Sequence, residues 1–296
     1  MKTFKNLSLA LLPAAMTLGV VATDAVAQPA APLTVQVYNA DAASFHVNAV
    51  LVAGKTDAVL LDTGFTRADA LRIAAMVLDS KKTLKTVYIS QADPDYYFGI
   101  EVISQYFPDA KVVTTAPTLK KIEATLATKL QVWGPRMGAN APKNVPLPEV
   151  LAGNTIALED QILEIRGLDD SQPHRSYVWI PLIKTIAGGV NVYAGLHLWT
   201  ADAQSVQERA DWAKKLGTMA ALNPTTVIPG HSLPGQKQDA SQIAWSQAYL
   251  ARYEHELPKA AHSGALIEAM KKAYPHAGLG IALEIGAKVN KGEMKW

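Results

Sequence analysis

The chain has 296 residues, with 28 basic and 26 acidic side chains and no cysteine. So near-neutral a balance suggests neither nucleic acid nor an anionic membrane as partner. The missing cysteine excludes disulfides and thiolate metal ligands, so stability must come from core burial in an α/β chain of this length.

The first 27 residues read as an export leader. Lys2 and Lys5 precede an apolar run from Leu7 to Val21, interrupted by Pro13 and Gly19, and Ala25-Val26-Ala27 is a small-x-small cleavage signal. The run is shorter than the ~20 apolar residues of a spanning helix. The expected mature chain, residues 28–296, is one periplasmic or secreted domain with no membrane part, opening on a spacer at 28–33.

Strands are expected over 33–38, 47–53 and 58–61, the last two joined by a Gly54-Lys55-Thr56-Asp57 turn. Asp62-Thr63-Gly64 closes the third. Leu71, Ala74, Ala75 and Leu78 space a helix over 68–78. Val87–Ile89 ends in a polar cluster holding Gln91, Asp93, Asp95, Tyr96 and Tyr97, then a helix over 99–106. A strand at 111–114 and a helix at 117–132 follow. Residues 133–148, rich in Pro and Gly, read as a loop at the site mouth. Next come a hairpin over 155–165, the loop Pro173-His174-Arg175-Ser176 and a strand at 177–180. A helix over 203–222, a strand into Pro229-Gly230-His231-Ser232, a helix over 245–270 broken at Pro258 and a polar tail complete the chain.

The run Gln91-Ala92-Asp93-Pro94-Asp95-Tyr96 resembles the His-x-His-x-Asp-His loop of the metallo-β-lactamase fold. Gln91, Asp93 and Tyr96 stand in the histidine places and Asp95 stands on the aspartate. Asp62-Thr63-Gly64, Pro173-His174, Ala187-Gly188-Gly189 and Pro229-Gly230-His231 resemble the family's other landmarks, in the right order. The resemblance covers about residues 45 to 255. It implies a four-layer αββα sandwich with the site at one edge of the two sheets, and an Asp62 that braces the metal loop from behind. It also implies a hydrolase in which two zinc ions lower the pKa of water and polarise the scissile group. Gly189 takes the place of the bridging aspartate, so the full dinuclear set is missing.

Two readings stand level at this point. In the first, Asp93, Asp95, His174 and His231, with Gln91 as a further oxygen donor, hold one divalent ion, and Asp95 serves hydrolysis of a small ester, lactone or amide. Oxygen-rich donors move preference from zinc toward manganese or iron(II), although affinity order still favours zinc. Tyr96, Tyr97 and His197 would contact substrate, with Tyr96 donating to a substrate oxygen; His197, beside Trp199, also fits a packed core histidine. In the second, Asp93 is a helix N-cap, Pro94 the first helical residue and Asp95 a first-turn acid, and no metal is needed. The histidines are then relics in a cleft that binds a small ligand or partner. The sequence names no substrate and no oligomeric state. Mass spectrometry of the exported chain should find its N-terminus at or near Gln28; an intact Met1 in the envelope fraction would count against processing.

Overall fold

The computed structural model describes Met1 and residues 33–296; the expected leader falls outside the described residues, Met1 apart. The first sheet holds β1 (Thr34–Asn39), β2 (Asn48–Ala53), β3 (Asp57–Leu61), β4 (Thr83–Ile89), β5 (Lys111–Thr114) and β6 (Glu149–Val150), hydrogen-bonded in chain order. The first three strands are antiparallel and the rest parallel. Between the parallel strands run α1 (Arg67–Asp79), the short α2 (Pro94–Tyr97), α3 (Ile100–Tyr106) and α4 (Ala116–Met137). The second sheet is built from β7 (Thr155–Leu158), β8 (Gln161–Arg166), β9 (Tyr177–Ile180), β10 (Thr185–Ala187) and, beyond a small β11 (Tyr193–Ala194), the strand β12 (Thr226–Val227); β11 pairs in parallel with β13 (His231–Ser232). Its helices are α5 (Val206–Ala221), α6 (Ser241–Glu256), α7 (Ser263–Ala273) and α8 (Gly280–Asn290). Residues 33–296 pack as one unit, and among the described residues no helix is long and apolar enough to cross a membrane.

Strand alternation explains the layers. Every residue of β2 is buried, because its two faces meet two different partners. Leu51, Leu60 and Ile89 join Ile73, Val77, Ile103 and Ile122 from α1, α3 and α4. Val50, Val52, Val59, Leu61 and Tyr88 face the other way, onto Leu163, Ile165, Val178 and Ile180 of the second sheet. The far face of that sheet, with Tyr177, Trp179 and Ile186, packs on Trp212, Leu216, Tyr249, Leu266 and Leu283 of α5 to α8. Three apolar layers thus separate four structural layers, the αββα sandwich expected from the sequence.

Two expectations need correction. α4 does not stop at residue 132 but runs through Pro135 to Met137. Proline normally ends a helix, yet Trp133 is buried against Phe45 and Phe65, and that packing outweighs the lost backbone bond. The tail expected to be polar contains α8, whose Ala282, Leu283, Gly286 and Ala287 lie at helical spacing and are buried.

One hydrogen-bond chain ties the ends of the two sheets together. Asp62, in the left-handed region (φ 66°) just past β3, accepts from the Ser90 amide at 2.8 Å and the Ser90 hydroxyl at 2.7 Å. The Ser90 oxygen accepts from the Gly189 amide at 2.7 Å. Next to this chain, Thr63 donates through its amide and hydroxyl to the Tyr96 carbonyl at 2.8 and 3.1 Å. Gly99 is required there, since a Cβ would lie 2.0 Å from the Thr63 carbonyl oxygen. Burial raises the Asp62 carboxyl to about 7 against the pull of the two Ser90 bonds. Asp62→Ala should cost about 1–3 kcal/mol in chemical denaturation, the penalty of leaving the buried Ser90 donors unmatched. The sign of the pH effect also follows. Unfolded Asp62 loses its proton near 3.8 and folded Asp62 near 7, so this group's contribution to stability falls as pH rises between those values. Asp62→Asn should flatten that part of the profile, and an unchanged slope would show that Asp62 is not the group responsible.

Candidate functional site

β4 delivers its last residues to the rim between the sheets, and the backbone there turns into α2. Asp93 sits at the N-cap of α2 with extended backbone, Pro94 opens the helix, and Asp95 lies in the first turn. Asp93 makes no capping bond. Its carboxylate turns to the Lys129 ammonium of α4, 2.7 Å away, and Lys129 also donates to the Ala92 carbonyl at 3.1 Å. Burial opposes ionisation of Asp93, but Lys129, with Lys121 behind it, overrides burial and holds the carboxyl at about 2. Asp95 goes the opposite way. Burial first, and repulsion from Asp93 second, push it well above the usual carboxylate range, which favours its protonated form. Two carboxyl groups two residues apart are thereby driven into opposite states.

His231 arrives from the other side, at the start of β13. Its Nδ1 lies 3.0 Å from the Phe45 carbonyl, which can only accept, so Nδ1 carries the proton and Nε2 is bare. Nε2 faces Asp95 Oδ2 at 3.6 Å. Burial brings the imidazole down to about 4, which leaves it neutral near pH 7. Tyr193 stacks on the ring at 4.9 Å and 15°, and Tyr96 meets it edge-on at 5.7 Å and 82°. The Phe45 carbonyl is aimed at His231 by two consecutive left-handed residues, Phe45 (φ 57°) and His46 (φ 56°). Such strain in bulky residues costs about 1–3 kcal/mol each and persists only where the surroundings fix it; here the packing of Phe45 on Phe65 and Trp133 does so.

Above this floor opens a cavity of about 960 Å³, large enough for a drug-sized molecule. Asp93, Asp95, Lys129, Tyr193 and His231 line it, together with aromatic residues from several segments.

The other residues expected at the site are placed elsewhere. Gln91 is buried, and its Oε1 accepts from the adjacent Ala92 amide at 2.7 Å. His174 lies outside the cavity lining. Its loop is pinned by the Lys215 ammonium, which donates to the carbonyls of Gln172 and Arg175, each at 2.8 Å. Burial, together with Lys121, Arg175 and Lys215, lowers His174 to about 4. His197 is not a cleft residue: it is buried, with Nδ1 2.9 Å from the Tyr249 hydroxyl. Tyr97 is turned into the layer beneath α1 and α3, edge-on to Phe98 at 5.2 Å.

The two-zinc centre implied by the resemblance does not fit these residues. Among the described residues no three His, Asp or Glu side chains come close enough together to hold an ion. Of the set the sequence suggested, Asp93, Asp95 and His231 line the cavity, and Gln91 and His174 do not. An ammonium already neutralises Asp93. At the lost bridging position, Gly189 has φ 75°, and a Cβ there would lie 2.1 Å from the Ser176 carbonyl oxygen. The Tyr96 hydroxyl packs on Gly230, 2.6 Å from where a Cβ would sit.

Lys129, Tyr193 and Trp296 escaped the sequence reading, whereas Trp133 opens the stretch expected at the site mouth. Lys121, Thr125, Lys129 and Trp133 repeat at four-residue spacing along α4, a pattern visible in the sequence. Nothing in it told that this face looks into a cleft and not into water.

Comparison with known proteins places this geometry in context. The sequence matches the family model of the metallo-beta-lactamase superfamily over residues 44–231. Among solved structures, a beta-lactamase domain protein from Burkholderia ambifaria superposes with a TM-score of 0.61 at 14% identity, covering 88% of this chain and 84% of that one. A metallo-beta-lactamase family protein from Thermus thermophilus gives 0.58 at 16%, covering 88% and 92%. A metallo-beta-lactamase from Pontibacter korlensis gives 0.52 at 18%, covering 76% and 97%. Identities this low speak for the fold alone, and no curated protein matches the sequence. Members of the superfamily often bind divalent metals, and the altered donors described above lie within the matched span. With the family model covering more than half of the sequence and the same fold on both sides of the comparison, the chain belongs to the metallo-beta-lactamase superfamily.

Proposed function

We propose that this superfamily member binds a small molecule in the former active-site cleft without the two-zinc centre. The observation that carries the reading is the 2.7 Å ion pair between Lys129 and Asp93. A side-chain ammonium occupies the place where a cation would otherwise be neutralised, and it does so beneath a cavity of ligand size. The chain's own groups leave a floor for recognition: Asp95, pushed toward its protonated form by burial, and a neutral His231. We propose as well that the mature chain works in the periplasm or outside the cell, on the strength of the leader-like run before Gln28.

A second reading, hydrolysis of a small ester, lactone or amide, is favoured by one observation. Asp95 and His231 still face each other at 3.6 Å, one a proton donor and the other a bare base. Such a pair can protonate a carbonyl oxygen and take a proton from water. Turnover of 4-nitrophenyl acetate that survives EDTA and disappears in both Asp95→Asn and His231→Gln would favour it over simple binding.

Untagged protein purified without chelator should carry below about a tenth of an equivalent of any transition metal, and added Zn²⁺, Mn²⁺ or Fe²⁺ should leave its melting temperature unchanged, since a native-state ligand must stabilise. One equivalent of bound metal, with activity that EDTA removes, would overturn the proposal. Small molecules that raise the melting temperature in EDTA should lose their effect in Thr125→Trp, which pushes an indole into the cavity.

Lys129→Gln would leave the Asp93 carboxylate without its partner. The side chains keep 18% and 21% of their surface in water. The cost should therefore be about 1–3 kcal/mol, below that of breaking a fully buried pair. Urea unfolding measures it, and a cost near zero would mean that Lys129 is dispensable to the site.

A further inference from the structure

We propose that the cavity selects ligands carrying a flat aromatic ring, and that Trp296, in the segment after α8, forms part of the wall that contacts the ring. The inference rests on the ligand-binding reading above and names the class of ligand.

Five aromatic side chains from separate parts of the chain converge on the cavity: Phe45, Trp133, Tyr193, Trp199 and Trp296. Three of the six tryptophans in the whole sequence are thus spent on one chamber. They touch one another at angles and not in flat stacks. Phe45 meets Trp133 at 5.2 Å and 75°, Phe45 meets Trp199 at 6.0 Å and 62°, and Trp199 meets Trp296 at 5.5 Å and 58°. A wall of tilted rings offers both faces and edges, the two surfaces on which another ring packs with an energy beyond its buried area.

The position of Trp296 is built. Gly292 turns the chain after α8 with φ 74°. Glu293 then anchors the segment, accepting from the Ser263 amide at 2.7 Å. Trp296 itself donates from its indole nitrogen to Asp202 Oδ1 at 2.9 Å. Between these two fixed points Met294 and Lys295 cross the cavity rim. Trp296 nevertheless keeps 46% of its surface exposed, and Met294 and Val132, also on the lining, keep 40% and 43%. A large apolar rim around a chamber with a polar floor is the signature of an apolar ligand body with a hydrogen-bonding group at its inner end. On the floor, the bare His231 Nε2 and the Asp95 carboxyl suit a group that both donates and accepts, such as a carboxamide.

Isothermal titration calorimetry on the full chain tests this with two probes that share a head group: 2-naphthamide and its saturated counterpart decahydronaphthalene-2-carboxamide. The expected result is tighter binding of the naphthamide by roughly threefold to tenfold, the aromatic increment read as a ratio of affinities. Trp296→Leu should bring that ratio close to one with little change for the saturated amide, and Trp296→Phe should keep most of it. Equal binding of the two amides, or an unchanged ratio in Trp296→Leu, overturns the inference. The ligand-binding reading has its own control. If both amides fail but dodecanoate raises the melting temperature and Thr125→Trp abolishes that rise, the aromatic inference falls and the binding reading stands. If no probe gives a response that Thr125→Trp removes, both fall.

Discussion

The Asp62 carboxylate holds Ser90 by two hydrogen bonds, and Ser90 in turn holds the amide of Gly189. Everything at the cleft edge depends on this chain. It fixes where β4 ends and therefore where Asp93, Asp95 and Tyr96 begin. It also pulls the turn after β10 against that loop, in a backbone conformation open only to residues tolerant of positive φ. The same arrangement that welds the two sheets leaves no room for a side chain at residue 189, where the Ser176 carbonyl oxygen already stands. The local backbone therefore disfavours a carboxylate-bearing residue at 189.

Electrostatics then separates two neighbouring acids. Lys129 reaches from α4 to Asp93, and the charge it stabilises there makes ionisation of Asp95 harder. Of the two acids, one is held in an internal ion pair and the other is pushed toward its protonated form. His231 completes the change. Fixed by the Phe45 carbonyl and wedged between Tyr96 and Tyr193, it presents a bare nitrogen to Asp95. The ligand-binding proposal accords with this arrangement and with a cavity walled by aromatic rings.

Much of this is legible in the residues alone. The period-two and period-3.6 patterns locate most strands and helices, because the faces they bury repeat at those spacings. The order of Asp62-Thr63-Gly64, the Gln91 to Tyr96 run, Pro173-His174 and Pro229-Gly230-His231 points to the family, because each landmark is a short local backbone device. The end of α4 and the presence of α8 are not legible, since tertiary packing of Trp133 and of Leu283 outweighs a proline and a polar flank. Tyr97 and His197 look like cleft residues by position in the chain, but a rotation of one residue on a short helix and a partner 52 positions away turn them into the core.

The sequence by itself determined the fold and which residue types stand at the site, because both are written in residue type and order along the chain. Only the tertiary structure decided what the altered residues do. Lys129 and Asp93 are 36 positions apart, and Asp95 on α2 meets His231 on β13. Their charge states are set by that distance and by burial, since Coulomb attraction and desolvation act through space and leave no mark on linear spacing.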